Sequence, residues 1–145
     1  MKAFLASWQF WALGSAVFAA LTAIFAKIGI SDVNSDFATF VRTVVILIAI
    51  ALMLTLAGNW QAPGTVPAKS WIFLILSGLA TGVSWLFYFR ALQIGKAAQV
   101  APVDKLSVVL VAVFAVVFLG EQLSPVHWAA VLMIAGGALL LALPI

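Results

Sequence analysis

Five apolar runs, each about 20 residues long, are the feature that most constrains how this sequence can fold, because a helix of that length crosses roughly 30 Å of hydrocarbon. With 66% hydrophobic and 8% charged residues in a chain of 145, a soluble globular domain is excluded. The sequence therefore predicts an all-α integral membrane protein. The five predicted spans are Trp8–Ile28, Phe37–Ala57, Trp71–Leu92, Ala97–Leu119 and Val126–Leu143.

Small residues at the ends of these runs support the same five spans. A glycine just past a helix can adopt the left-handed conformation that ends it, and a serine just before a helix can cap its first turn. The predicted stops are Gly29, Gly58, Gly95 and Gly120, and the predicted starts are Ser35, Ser70 and Ser124, the last followed by Pro125. The connection of residues 59–70 is predicted to be an interfacial loop.

Several classes of function are excluded by what the sequence lacks. The chain has no cysteine and one histidine, His127, so we expect neither a disulfide framework nor a metal site. The net charge of +3 comes from seven scattered Lys and Arg residues, which form no basic stripe for nucleic acid. No nucleophile-base pair or phosphate loop is present, so we expect no enzyme and no cofactor.

The charges in the connections give little bias for membrane orientation. Five crossings place the two termini on opposite sides, with Lys2 and Lys69 on the N-terminal side and Lys27 and Lys96 on the other. Charges inside the spans favour the second side as cytoplasmic, but the orientation stays open. A chain with little bias can insert both ways, and two opposed copies would form an inverted-repeat, ten-helix assembly. A parallel homo-oligomer or a separate partner subunit are the alternatives.

Charged residues inside the apolar spans are the main candidates for function, because ionisable groups at membrane depth are costly. Arg42 lies about 9 Å into the second span, Arg90 a few Å from the end of the third, and Asp104 and Lys105 about 10–12 Å into the fourth. All enter from one side, which predicts a water-filled vestibule. A purely structural role is equally compatible, with Asp104 paired to Arg42 or Arg90. Pro102 is expected to bend the fourth span or delay its start.

Three further features have mainly structural interpretations. In the third span, Gly78 and Gly82 are predicted to allow close helix packing, whereas Trp85 and Tyr88 are pocket candidates. In the first span, alanines spaced by three and four predict a packing face. Glu121 is predicted to cap the last helix, because the positive end of a helix dipole stabilises a carboxylate.

Three segments resemble the EamA-like family of the drug/metabolite transporter superfamily. They are Trp85-Leu86-Phe87-Tyr88-Phe89-Arg90-Ala91-Leu92, Ala101-Pro102-Val103-Asp104-Lys105-Leu106-Ser107 and Phe118-Leu119-Gly120-Glu121. The resemblance implies that residues 1–145 form a single five-helix transmembrane domain, equivalent to one of the two inverted repeats of typical members. It also implies export or exchange of small metabolites without ATP hydrolysis, with Pro102, Asp104 and Lys105 near a central cavity.

The first hypothesis is a secondary transporter of small metabolites or drug-like solutes. It would lie in the cell (inner) membrane as a multi-pass protein and work as a homodimer, antiparallel if its topology is dual. The alternatives are a flippase subunit for lipids or polyprenyl carriers, and a non-transporting partner subunit of another membrane protein. The residues predicted to bind a small-molecule substrate or a coupling ion are Arg42, Trp85, Tyr88, Arg90, Asp104 and Lys105.

Overall fold

The computed structural model describes residues 7–143, so Lys2, which entered the charge count above, lies outside the described residues. Throughout this part of the chain the regular structure is helical, as predicted. The helices are α1 (Trp8–Gly29), α2 (Ser35–Ala57), α3 (Ala68–Ile94), α4 (Ala97–Asp104), α5 (Ser107–Phe114) and α6 (Pro125–Ala142), with a 3₁₀ turn at Pro63–Thr65 and a π-helical segment at Ala115–Leu119.

Five helical segments of the described chain are long and apolar enough to cross a membrane. Four of them are α1, α2, α3 and α6. The fourth in chain order is the composite segment Ala97–Leu119, which contains α4, α5 and the π-helical segment. The five predicted spans are thus confirmed, with α2 and α3 beginning slightly earlier than their apolar runs. The arrangement of these spans as half of a ten-helix assembly stays a prediction.

Three of the four predicted glycine stops follow the end of a helical segment, and two of them have the left-handed conformation. Gly58 has a φ of 65° and Gly120 a φ of 70°. After Gly58, the N–H of Asn59 donates to the carbonyl of Leu54 at 3.1 Å, which is the Schellman pattern that ends a helix on a left-handed residue. Gly95 also follows the end of a helix, since α3 ends at Ile94, but its φ is not positive. The prediction is wrong for Gly29, which lies within α1 and has no positive φ. Helix α1 continues through Gly29, and the N–H of Ile30 still donates to Ala26.

The helix starts differ from the predicted serine caps at two of three positions. Asn34 caps α2, because its side-chain oxygen accepts from the N–H groups of Asp36 and Phe37. Ser35 is instead the first residue of α2 and is fully buried. Helix α3 begins at Ala68, so Ser70 lies in its first turn. The start at Ser124 is confirmed.

The fourth span is interrupted shortly after Pro102. Proline offers no N–H for the helical ladder, and α4 ends at Asp104. The following N–H groups donate to carbonyls three residues back, from Leu106 to Val103 at 3.0 Å and from Val108 to Lys105 at 2.9 Å. Such bonds tighten the chain into a 3₁₀-like turn. A second helix, α5, then continues the span from Ser107.

The described chain divides into two compact units. One comprises Ala26–Gln93, and the other contains the rest. In the first unit, the buried side chains come from the end of α1, from α2 and from the end of α3. In the second unit, α6 contacts both α4 and α5, and Ala138 of α6 is buried. The buried residues of the first unit are Ala26, Ile30, Ser35, Thr39, Phe89 and Leu92.

Candidate functional site

The first candidate site lies in the unit of Ala26–Gln93, where one face of α2 is polar. Ser35, Thr39 and Arg42 follow one another at spacings of four and three, so they lie on one side of the helix. Ser35 and Thr39 are buried and Arg42 is half-buried. The hydroxyl of Thr39 donates to the carbonyl of Ser35 at 2.8 Å, which satisfies it within its own helix.

An aromatic face of α3 meets Arg42. Trp85 and Phe89 are four residues apart and therefore lie one above the other on the same face. The guanidinium carbon of Arg42 lies 5.0 Å from the ring centre of Trp85 and 4.5 Å from that of Phe89. Both distances are within the range of cation–π interactions. Such an interaction contributes about 0.5–2 kcal/mol, and more where the groups are desolvated. The aromatic rings thus hold the guanidinium in one position.

Tyr88 completes this group, and Arg90 does not belong to it. The Tyr88 side chain is half-buried and interacts electrostatically with Arg42. We call Arg42, Trp85, Tyr88 and Phe89 the Arg42 cluster. Arg90 follows Phe89 by about 100° of helical rotation and is exposed. The structure therefore brings together three of the sequence-predicted residues, Arg42, Trp85 and Tyr88, and leaves Arg90 apart from them.

Lys27 was missed as a contributor to this unit, because the sequence alone placed it only among the charges on one side of the membrane. Its Nζ donates to the carbonyl oxygen of Leu92 at 2.6 Å. The last carbonyls of a helix have no partner within that helix, and a lysine is a common donor to them. Gln93 reinforces the connection by donating from Nε2 to the carbonyl of Val33 at 3.1 Å. These bonds tie the end of α3 to the α1–α2 connection.

The second candidate site is the pair of Asp104 and Lys105 at the interruption of the fourth span. Nζ of Lys105 lies 3.3 Å from Oδ2 of Asp104, and their side chains are 56% and 33% exposed, respectively. The suggested pairing of Asp104 with Arg42 or Arg90 stays a prediction. The two side chains are adjacent, and the turn that ends α4 allows them to reach each other. At this exposure the ion pair contributes little stability.

The start of α6 is capped by a serine rather than by Glu121. Ser124 accepts the N–H of His127 on its Oγ at 3.3 Å, and Pro125 occupies the first helical position. Within residues 7–143 the Glu121 carboxylate makes no hydrogen bond. Its backbone N–H donates to the carbonyl of Ala115. An electrostatic role for the carboxylate near the positive end of α6 stays a prediction.

The glycine pairs expected to mediate packing are open in the described chain. A Cβ atom added at Gly78 or Gly82 would meet nothing within 4 Å, and the same holds for Gly136 and Gly137. The described residues of one chain therefore make no close contact at these glycines. The alanine face of α1 packs only towards its end, where Ala23 and Ala26 are buried.

The chemistry of both sites is limited to charge, hydrogen bonding and aromatic contact. In the described part of the chain, no group of three or more His, Cys, Asp or Glu residues could hold a metal ion. The fold defines a multi-pass membrane protein with five apolar helical spans, and the two sites place charged groups in the second and the fourth of these spans.

Comparison with known proteins identifies the family. The sequence model of the EamA-like transporter family matches residues 6–143, and the chain belongs to this family of membrane transporters of the drug/metabolite type. A Sinorhizobium protein described as an uncharacterized transporter in the cobO 3′ region is 63% identical over 136 residues, covering 94% of this chain and 96% of the relative. No solved structure matches the chain significantly.

A more distant relative is human solute carrier family 35 member G1. It is 32% identical over 130 residues, which cover 90% of this chain but 33% of the human protein. The chain therefore spans about a third of the length of that relative. The resemblance to the EamA-like family expected from the three sequence segments is confirmed.

Proposed function

We propose that this chain is a subunit of a secondary transporter for small metabolites or drug-like solutes. In this proposal residues 1–145 form one transmembrane domain, and two copies in opposite orientations form the working ten-helix unit in the cell's inner membrane. Asp104 is the candidate for ion coupling, and Lys105 and Arg42 are the candidates for substrate contact. Membership of the EamA-like transporter family supports the general class of activity.

The observation that carries the proposal is the interruption of the fourth span at a charged pair. Interrupted transmembrane helices leave backbone groups outside the regular ladder, and such backbone is tolerated at membrane depth only where it faces protein or water. Transporters commonly bind substrates and coupling ions at such points. Asp104 and Lys105 stand where α4 ends, and both side chains remain partly exposed.

Three observations support assembly from two copies in opposite orientations. The Sinorhizobium relative is matched over 96% of its length, so a single unit of this size makes up nearly all of that relative. The open glycine pairs at Gly78/Gly82 and Gly136/Gly137 offer surfaces where another helix backbone can approach closely. The near balance of Lys residues in the connections supports insertion in both orientations.

The orientation is tested by labelling single cysteines, which the cysteine-free sequence makes unambiguous. Gln61→Cys places a thiol in the exposed α2–α3 connection, and Val33→Cys places one in the exposed α1–α2 connection. In intact cells a membrane-impermeant maleimide should label about half of each variant, and the rest only after permeabilisation. Complete labelling of one variant and none of the other would exclude the antiparallel arrangement.

Transport itself is tested with purified protein in sealed vesicles. Uptake or exchange of a panel of labelled metabolites is compared with that of empty vesicles, with and without an imposed proton gradient. Accumulation that requires the protein but no ATP supports a secondary transporter. Absence of protein-dependent flux for every solute, together with protein-dependent movement of fluorescent lipids between leaflets, would favour the flippase alternative.

One observation favours that alternative specifically. Arg90 lies near the end of α3 and is exposed, and arginine is suited to bind the phosphate of a lipid headgroup in a bidentate manner. A flippase subunit would need Arg90 for activity. In the metabolite transporter proposed here, Arg90→Gln should retain flux, so this one variant separates the two functions.

A further inference from the structure

We infer that the Arg42 cluster binds an oxyanion, either a carboxylate or a phosphate, and that the solutes handled by this chain are organic anions. The inference rests on the proposed transport function and specifies its substrate class. A half-buried cation within an apolar span needs a charge partner, and the unit Ala26–Gln93 pairs no carboxylate with Arg42.

The two carboxylates of the unit Ala26–Gln93, to which Arg42 belongs, are engaged elsewhere. Asp32 accepts a hydrogen bond from the hydroxyl of Ser31 at 3.0 Å, and Asp36 accepts one from the hydroxyl of Ser35 at 3.3 Å. Asp104 is paired with Lys105. Within the unit Ala26–Gln93, no carboxylate forms an ion pair with Arg42 and no hydrogen bond from its guanidinium is seen.

The two threonines beside Arg42 bond to their own helix and accept no hydrogen bond from the guanidinium. Thr39 and Thr43 flank Arg42 in sequence, and each donates its hydroxyl proton to a carbonyl of α2 at 2.8 Å. The aromatic rings of Trp85 and Phe89 attract the positive charge through their faces, but they offer no acceptor atoms in the plane of the guanidinium. Its five N–H donors are therefore available to a ligand.

The geometry of this arrangement selects the ligand class. A guanidinium held against aromatic rings presents its N–H groups at its edge, where two can reach two oxygens of one carboxylate or phosphate. A cationic ligand would meet a like charge, and a neutral ligand would leave the charge of Arg42 unbalanced. An oxyanion balances the charge of Arg42 and accepts hydrogen bonds from its N–H groups, while the rings of Trp85 and Phe89 stay in contact with the guanidinium.

The inference is tested by binding to purified protein in a neutral detergent, with tryptophan fluorescence as the readout, because Trp85 contacts the guanidinium. The carboxylate probe is phenylacetate, compared with its neutral amide phenylacetamide and with phenethylamine. The phosphate probe is glucose 6-phosphate, compared with glucose. Short-chain phosphatidylglycerol is the third probe, and it shows whether the oxyanion belongs to a lipid headgroup or to a soluble solute.

We expect at least one of the anionic probes to bind at least tenfold more tightly than its neutral counterpart. Arg42→Gln should abolish that preference, and Arg42→Lys should retain only part of it, since lysine lacks the planar fork. Lys69→Gln removes one positive charge from an exposed position outside the cluster, and it should leave binding unchanged. Circular dichroism and gel filtration confirm that each variant remains folded.

Preference for phenethylamine, unchanged anion binding in Arg42→Gln, or equal losses in Arg42→Gln and Lys69→Gln would each overturn the inference. Since the measurement is of binding, its failure leaves the proposed transport function testable by flux. If vesicles transport a solute while Arg42 binds no oxyanion, the inferred substrate class is wrong and the proposed transport function is supported. If oxyanions bind without any flux, the proposed function fails instead.

Discussion

The guanidinium of Arg42 lies 4.5 Å from the ring centre of Phe89, a side chain that is 1% exposed. The same phenylalanine thus belongs to the packed core of its unit and supports the charged group of the candidate site. Packing and charge placement are coupled at this position, because a shift of the ring would also move the guanidinium. This coupling distinguishes Phe89 from the other phenylalanines of α3.

Phe89→Ala should destabilise the protein by about 3–5 kcal/mol, because it removes a fully buried ring and leaves a cavity. It should also weaken oxyanion binding, since Arg42 loses one of its two aromatic contacts. Unfolding by sodium dodecyl sulfate, followed by circular dichroism, measures the stability, and the fluorescence titration measures the binding.

Phe87→Ala is the matched control, two residues away on the same helix but 75% exposed. Its loss of stability should be much smaller, within about 1 kcal/mol, because no internal cavity forms. Equal destabilisation by the two variants would contradict the packing described for Phe89.

The hydrogen bond from Lys27 to the carbonyl of Leu92 gives a second prediction. Lys27→Met preserves the apolar stem but removes the charged donor, so the end of α3 loses its connection to α1. We expect a loss of about 1.5–3 kcal/mol, the range for hydrogen bonds that involve a charged group. Thermal unfolding in detergent is the measurement.

Lys96→Met serves as its control, because Lys96 is exposed and carries the same charge at the start of α4. That substitution should change stability by less than about 0.5 kcal/mol. If Lys96→Met proved as damaging as Lys27→Met, net charge rather than the bond to Leu92 would be the cause.

The left-handed residue that ends α2 provides a third prediction. Gly58→Ala introduces a Cβ at a φ of 65°, a conformation that costs an alanine roughly 1 kcal/mol or more. Gly14→Ala, inside α1 with nothing within 4 Å of the added atom, should be neutral or slightly stabilising because alanine is the better helix former. Opposite signs in thermal unfolding are expected, and a destabilising Gly14→Ala would contradict the open position.

The spans were predictable because length and hydropathy are local properties of a membrane helix. The ends of the helices were less predictable, because several residue types can begin or end a helix. Asn34 caps α2 one residue before the predicted serine, because its longer side chain reaches two N–H groups and Ser35 faces the core. Glycine commonly ends a helix, yet the helical hydrogen bonds continue past Gly29.

The site was predictable in its residues but not in its pairings. Arg42, Trp85 and Tyr88 were identified because charge and amphipathic aromatics are conspicuous within apolar runs. Which group Arg42 contacts depends on how α2 packs against α3, a tertiary property absent from sequence spacing. Phe89 was overlooked for this reason, since one phenylalanine among many in an apolar helix carries no signal. The bond of Lys27 to Leu92 was hidden in the same way, because it joins residues 65 positions apart.

The final prediction concerns the interruption of the fourth span. Lys105→Ala should reduce protein-dependent flux in vesicles at least about tenfold, because it removes the candidate substrate contact and leaves Asp104 unpaired. Stability should change little, since the pair is partly exposed and such pairs contribute at most about 1 kcal/mol. Lys69→Ala, which removes an equal charge from the exposed first turn of α3, should retain normal flux.

Asp104→Asn should abolish any dependence of flux on an imposed proton gradient while allowing exchange of solute down its own gradient. Normal, gradient-dependent transport by both Lys105→Ala and Asp104→Asn would show that the charged pair serves only the local turn, and the passage would have to be sought elsewhere in the chain.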